Sequence, residues 1–264
     1  MRWAVLLLSS LLLVSAETAA SRLALTLRTR HEPFKGSGAW VETTFKVDLE
    51  PKKTALVICD MWDDHWCKSA AKRCGELARQ ADPVVAALRS KGVTIVHCPS
   101  DTMAYYADAT QRKAMLAITK ATPPDNKALT DPPLPIDDKD GGCDDEMPVK
   151  SFRAWKRQHE AIRISEGDFI SDQGTEVYSL LKARGIDTLL IMGVHTNMCV
   201  CNRSFAIKQM TRWGIKCILI RDLTDAMYNP KRRPFVSHEE GTNLVIQHIE
   251  QHWCPTVLTR ELMR

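Results

Sequence analysis

The run Thr188-Leu-Leu-Ile-Met-Gly-Val194 constrains the chain most. After its first residue it carries no polar side chain, so a strand made from it must be covered on both faces. Similar apolar runs occupy residues 54–59, 93–97 and 216–221. Helical patterns lie between them. Residues 72–91 place Leu77, Val84, Val85 and Leu88 on one face before Gly92, residues 174–184 end at Gly185, residues 201–213 end at Gly214, and residues 242–252 form a last helix. Residues 161–164 read as a further short strand and 255–258 as an edge strand. Buried strands alternating with helices predict a parallel sheet between helical layers, an α/β architecture. Such sheets hold their sites at the carboxyl ends of the strands, which selects the loops after Cys59, His97, Ile164 and Val194.

The ends of the chain read differently. Arg2, an apolar run over residues 4–14 broken only by Ser9 and Ser10, and Val14-Ser15-Ala16 have the three-part pattern of a signal peptide over residues 1–16. The run is too short to span a bilayer, and no later stretch is long and apolar enough to do so. The expected mature protein is secreted or otherwise extracytoplasmic, with no membrane span after cleavage; a retained N-terminal anchor is the other reading. Residues 17–50 read as an N-terminal extension and 51–264 as one domain, interrupted by a polar, Pro-rich insertion at about 122–148. The balance of 36 basic against 32 acidic residues leaves a net charge of only +4, which argues against nucleic acid as a partner.

Nine cysteines are an odd number, so at least one is free or pairs between chains. Cys59, Cys98 and Cys217 fall in or beside buried strands, where a cysteine serves as small apolar filling. Cys199-Val-Cys201 is too tight for a zinc-binding pair, and no second pair answers it, so no metal is expected. Cys199 itself stands apart. It follows the strongest strand and a tight turn and precedes a predicted helix, whose N-terminal field should stabilise a thiolate and whose free N–H groups could receive an oxyanion. Asp60, directly after the first apolar strand, should emerge at the same sheet edge as a base. Trp62 and His65, in the loop that follows, are candidates for lining the pocket.

Asp60 after a Val-Ile-Cys strand, together with Gly193-Val-x-Thr-x-x-Cys199-Val after a Leu-Leu-Ile-Met strand, resembles the isochorismatase-like cysteine hydrolases, a superfamily that includes nicotinamidases and carbamoylsarcosine hydrolases. The resemblance runs from about residue 54 to 258. It implies a three-layer α/β/α sandwich with a mainly parallel six-stranded sheet and a homo-oligomer. It also implies an Asp–Lys–Cys triad that hydrolyses a C–N bond of a small molecule through a Cys199 thioester, with no cofactor. The oxyanion donors become the backbone N–H groups of His195 and Cys199, and a non-proline cis peptide is implied between Val194 and His195. One element is missing: no lysine stands at the end of the middle strand, read as Ile162-Arg163-Ile164-Ser165. Arg163 is the nearest cation in that register and the candidate replacement. The alternative is a non-catalytic binding member of the same fold that has lost the lysine. The two readings separate on whether any cation contacts both Cys199 and Asp60.

Overall fold

The computed structural model describes residues 22–146 and 150–264. The predicted targeting segment 1–16 and the last residues of the insertion lie outside the described residues.

Eight strands form one sheet: β1 (Leu23–His31), β2 (Val41–Leu49), β3 (Thr54–Cys59), β4 (Thr94–Cys98), β5 (Phe169–Ile170), β6 (Thr188–Val194), β7 (Lys216–Asp225) and β8 (Thr256–Val257). Their order is β2-β1-β8-β7-β6-β3-β4-β5. The six strands from β3 onward are parallel to one another, which is the core implied by the resemblance. The remaining two correct the count of six. They come from the segment read as an extension, which folds into a hairpin whose β1 pairs antiparallel with β8 at Arg28 and Thr256. β8 is therefore an interior strand and not an edge.

Both faces are covered, as the apolar runs require. Ala55, Val57 and Cys59 of β3 face one core, shared with α3 (Gly174–Ala183), α4 (Cys199–Asn202), α5 (Ile207–Arg212) and α6 (His238–His252). Leu56 and Ile58 face the other, shared with α1 (Lys68–Ser90) and with Leu262 of α7 (Thr259–Leu262). A short α2 (Thr110–Leu116) precedes the insertion. The helix expected over residues 201–213 is two short helices separated at Arg203–Ala206. The last helix starts earlier than expected because Ser237 caps it, its hydroxyl accepting the Glu240 N–H at 3.1 Å. No described helix is long and apolar enough to cross a membrane.

The stretch around residues 161–164 is a turn and not a strand. Ile162 is buried and its N–H bonds back to the His159 carbonyl at 3.1 Å. The middle strand lies further on, at Phe169–Ile170, paired with Val96 and His97. The insertion has little regular structure but is anchored to the domain. Cys143 is disulfide-bonded to Cys67 at the start of α1, Asp144 pairs with Arg73 of α1 at 2.8 Å, and Asp131 pairs with Lys208 of α5 at 2.7 Å.

Candidate active site

The carboxyl ends of β3 and β6 lie side by side, Cys59 opposite Gly193. Their contact is so close that a Cβ on Gly193 would enter the Cys59 carbonyl. Gly193 also has φ of 123°, so the glycine of the motif is required twice over, by space and by conformation. Beyond it the Val194–His195 peptide is cis, in agreement with the resemblance. Asp60 leaves β3 with φ of 48°, the left-handed region, which costs a non-glycine residue about 1 kcal/mol or more. This backbone turns the carboxylate inward, where it is fully buried.

Two groups hold that carboxylate. Oδ1 accepts the Ser100 backbone N–H at 2.7 Å and Oδ2 accepts Nε of Arg203 at 2.9 Å, with the Cys199 thiol nearby. Burial raises the Asp60 pKa above the usual aspartate value, while the Arg203 charge, the Ser100 N–H and the neighbouring Cys199 thiol restrain the rise. Burial also pushes the Cys199 thiol up, and the Asp60 charge pushes it further. This corrects the expectation of a thiolate stabilised by a helix: α4 spans only four residues, too short for much of a dipole. The resting proton sits on sulfur, with a partly desolvated base against it. Neither the backbone N–H of His195 nor that of Cys199 has a backbone carbonyl partner among the described residues.

Arg203 is the cation of this site, and sequence reasoning missed it. Its guanidinium bonds to Asp60, lies 3.6 Å from Asp101 at Nη2, and has its own pKa raised by Asp60 and Cys199 against the effect of burial. Arg163 does not take part. Its side chain is 76% exposed, its backbone N–H donates to Asp82, and its guanidinium is 3.8 Å from the same carboxylate. The register that pointed to Arg163 fails because the middle strand begins only at Phe169.

Trp62 and His65 are also displaced from their expected role. Trp155 stacks on Trp62 at 4.1 Å and on His65 at 5.6 Å, and the Trp62 indole N–H donates to the Ser100 carbonyl at 3.1 Å. The stack leans on His195, whose ring is 5.0 Å from His65, and burial lowers the pKa of His65 to about 4 and that of His195 to about 3. The open cleft beside Cys199, about 430 Å³, is lined instead by Leu134 and Asp138 of the insertion and by Asn197, Asn202 and Arg203. Asp138 is fixed there by the Asn197 amide, which donates to it at 2.8 Å. The only cluster of three possible metal ligands among the described residues is Cys67, Cys143 and Asp145, and its two cysteines are bonded to each other.

Residues 54–238 match the isochorismatase domain. The chain belongs to the isochorismatase-like hydrolase family. A cysteine hydrolase from Pseudomonas syringae pv. phaseolicola has the same fold, with a TM-score of 0.53 at 17% identity over 82% of this chain and 93% of its own. An isochorismatase from Pseudomonas putida aligns at a TM-score of 0.47 with 12% identity over 80% of this chain and 90% of its own. An N-carbamoylsarcosine amidase from Thermoplasma acidophilum aligns at 0.43 with 15% identity over 78% of this chain and 96% of its own. No curated protein matches the chain. At 17% identity the likeness to the Pseudomonas syringae structure shows the fold of this isochorismatase-like chain and leaves its substrate to the chemistry of the site.

Proposed function

We propose that this isochorismatase-like hydrolase is an exported cysteine amidohydrolase that cleaves a C–N bond of a small molecule, using Asp60, Arg203 and Cys199. The observation that carries the reading is the buried Asp60 carboxylate, paired with Arg203 at 2.9 Å and lying beside Cys199. In the forward step Asp60 takes the thiol proton as sulfur attacks the substrate carbonyl carbon. The His195 and Cys199 N–H groups hold the oxygen as it becomes negative. The C–N bond then breaks, the amine or ammonia leaves with the proton held by Asp60, and a thioester remains on Cys199. Water deprotonated by Asp60 attacks the thioester, and sulfur recovers its proton as the acid is released. Arg203 cannot exchange a proton at neutral pH. Its part is electrostatic: it keeps Asp60 able to ionise although buried. Arg203, an ion-pair partner of Asp60 whose charge also acts on the Cys199 thiol, favours this reading over a binding protein that has lost its triad. The Cys67–Cys143 disulfide supports export, since such bonds persist in oxidising compartments.

The test is a panel of small primary amides and carbamoyl compounds, read by ammonia release. Acid quenching and mass spectrometry then follow acylated Cys199. Turnover with an acyl adduct on the Cys199 peptide, both lost in Cys199→Ala, is the expected result. Binding without adduct or turnover for every compound, combined with Cys199 that no alkylating agent reaches, returns the protein to the binding class.

A further inference from the structure

Away from Cys199, a cleft of about 690 Å³ opens between α1 and α6. It exists because the sheet is incomplete there. β8 pairs with β7 only at Leu219 and Ile220, so the later residues of β7, through Thr224 and Asp225, have no strand on that side. α1 and α6, from opposite faces of the sheet, wall the gap.

The polar groups of this cavity are unevenly satisfied. Asp225 is bonded to His238 at 2.8 Å and to Arg73 at 2.9 Å, and Asp222 accepts the backbone N–H and hydroxyl of Thr259. Glu76 and Glu239 are exposed at the rim. Arg28 is paired with Glu250 at 2.7 Å. Arg221 is the exception. It is half-buried, donates to the Thr256 hydroxyl at 3.0 Å, and pairs with no carboxylate among the described residues. Burial and the nearby Arg28 charge push its guanidinium below the usual arginine value, against the opposing charges of Glu250, Asp222 and Glu42. A half-buried guanidinium with no carboxylate in contact can take an incoming one, and guanidinium geometry suits a two-oxygen partner. Leu77, Ile246 and Leu258 supply apolar wall next to it.

We propose that this cavity is a second ligand site, distinct from the cleft at Cys199, that takes a small organic carboxylate with its anionic head on Arg221 and its short apolar body against Leu77, Ile246 and Leu258. A ligand of this size binds with a Kd on the order of 0.1 to 1 mM.

The experiment is isothermal titration of the full mature chain with hexanoate, after Cys199 has been capped with iodoacetamide so that the cleft cannot contribute. Hexanamide serves as the neutral probe and inorganic phosphate as the anion without an apolar body. One equivalent of hexanoate is expected to bind, with hexanamide and phosphate each at least tenfold weaker. Arg221→Gln should weaken hexanoate at least tenfold and Arg221→Lys less. Gln80→Trp, which fills the cavity from the exposed side of α1, should abolish binding with Arg221 intact and covers the case in which Arg221→Gln does not fold. Three results overturn the proposal: no heat at 10 mM hexanoate, equal affinity for hexanamide or phosphate, or unchanged affinity in a folded Arg221 or Gln80 variant.

Discussion

Arg203 donates from Nε to Asp60 Oδ2 at 2.9 Å, and it does so from the residue that closes the single helical turn begun by Cys199. One turn therefore holds the proposed nucleophile and the cation that pairs with the buried carboxylate. In this site the positive charge comes from the nucleophile's own helix and not from a neighbouring strand. The charge is also permanent, so in the proposed reaction Asp60 alone would carry every proton that moves.

The first prediction concerns that charge. Arg203 lowers the Asp60 pKa, so Arg203→Ala should raise it further above the ordinary aspartate value. The base then ionises only at higher pH. The acid limb of Cys199 alkylation by iodoacetamide, followed by peptide mapping, should move up by roughly one to three pH units. Arg203→Lys keeps a charge without the planar fork and should fall between. An unshifted acid limb in Arg203→Ala would mean that Asp60 does not govern the thiol.

How far the sequence revealed this can be judged residue by residue. The apolar runs of β3, β4, β6 and β7 determined their own burial, and Gly193 with Cys199 marked the sheet edge that matters. Arg203 was invisible because residues 201–213 read as one continuous helix, in which an arginine looks like a solvated face. Its position one turn after Cys199 was the available signal, since residues four apart share a helix face. Arg163 misled because Ile162-Arg-Ile alternates like a half-buried strand, whereas the backbone turns there and Ile162 is buried alone. The hairpin was hidden for a similar reason: Leu23, Leu25 and Leu27 alternate as a half-buried strand should, but lie in residues 17–50, which read only as an N-terminal extension. Where side chains from distant segments meet, as Trp155 meets Trp62, no local pattern announces the contact.

The second prediction concerns the disulfide. Cys67 and Cys143 are separated by 76 residues, a long loop to close, and the bond holds the end of the insertion whose Asp138 lines the Cys199 cleft. Chain entropy puts its contribution at about 4 kcal/mol, and measured bonds of this kind commonly give 2–4. Cys143→Ser should lower the urea midpoint accordingly. A thiol count under denaturing, non-reducing conditions should find the other seven cysteines free, Cys199 among them. A midpoint unchanged by Cys143→Ser would show that the salt bridges to Arg73 and Lys208 fasten the insertion without it.

The third prediction follows from the pair behind the catalytic turn. His238 donates toward Asp225 at 2.8 Å, and Asp225 also accepts Arg73, while its carbonyl receives the Thr196 N–H at 2.9 Å. Burial lowers the His238 pKa, but the hydrogen bond and charge of Asp225 outweigh it and leave the imidazole above its ordinary value. Asp225 lies below its ordinary value, because the hydrogen bond from His238 and the Arg73 charge overcome its own burial. The sign for His238 is that of a group more basic when folded. Its stabilisation is complete below the unfolded value of about 6.5 and is lost as pH rises through the higher folded value. His238→Gln should therefore cost about 1.5 to 3 kcal/mol at pH 6, the range for a hydrogen bond to a charged group, and clearly less at pH 9. Urea unfolding of both proteins across that range measures the difference. A cost that stays constant with pH would mean that His238 is held neutral and acts through hydrogen bonding alone, and a cost that grows with pH would contradict the charge assignment.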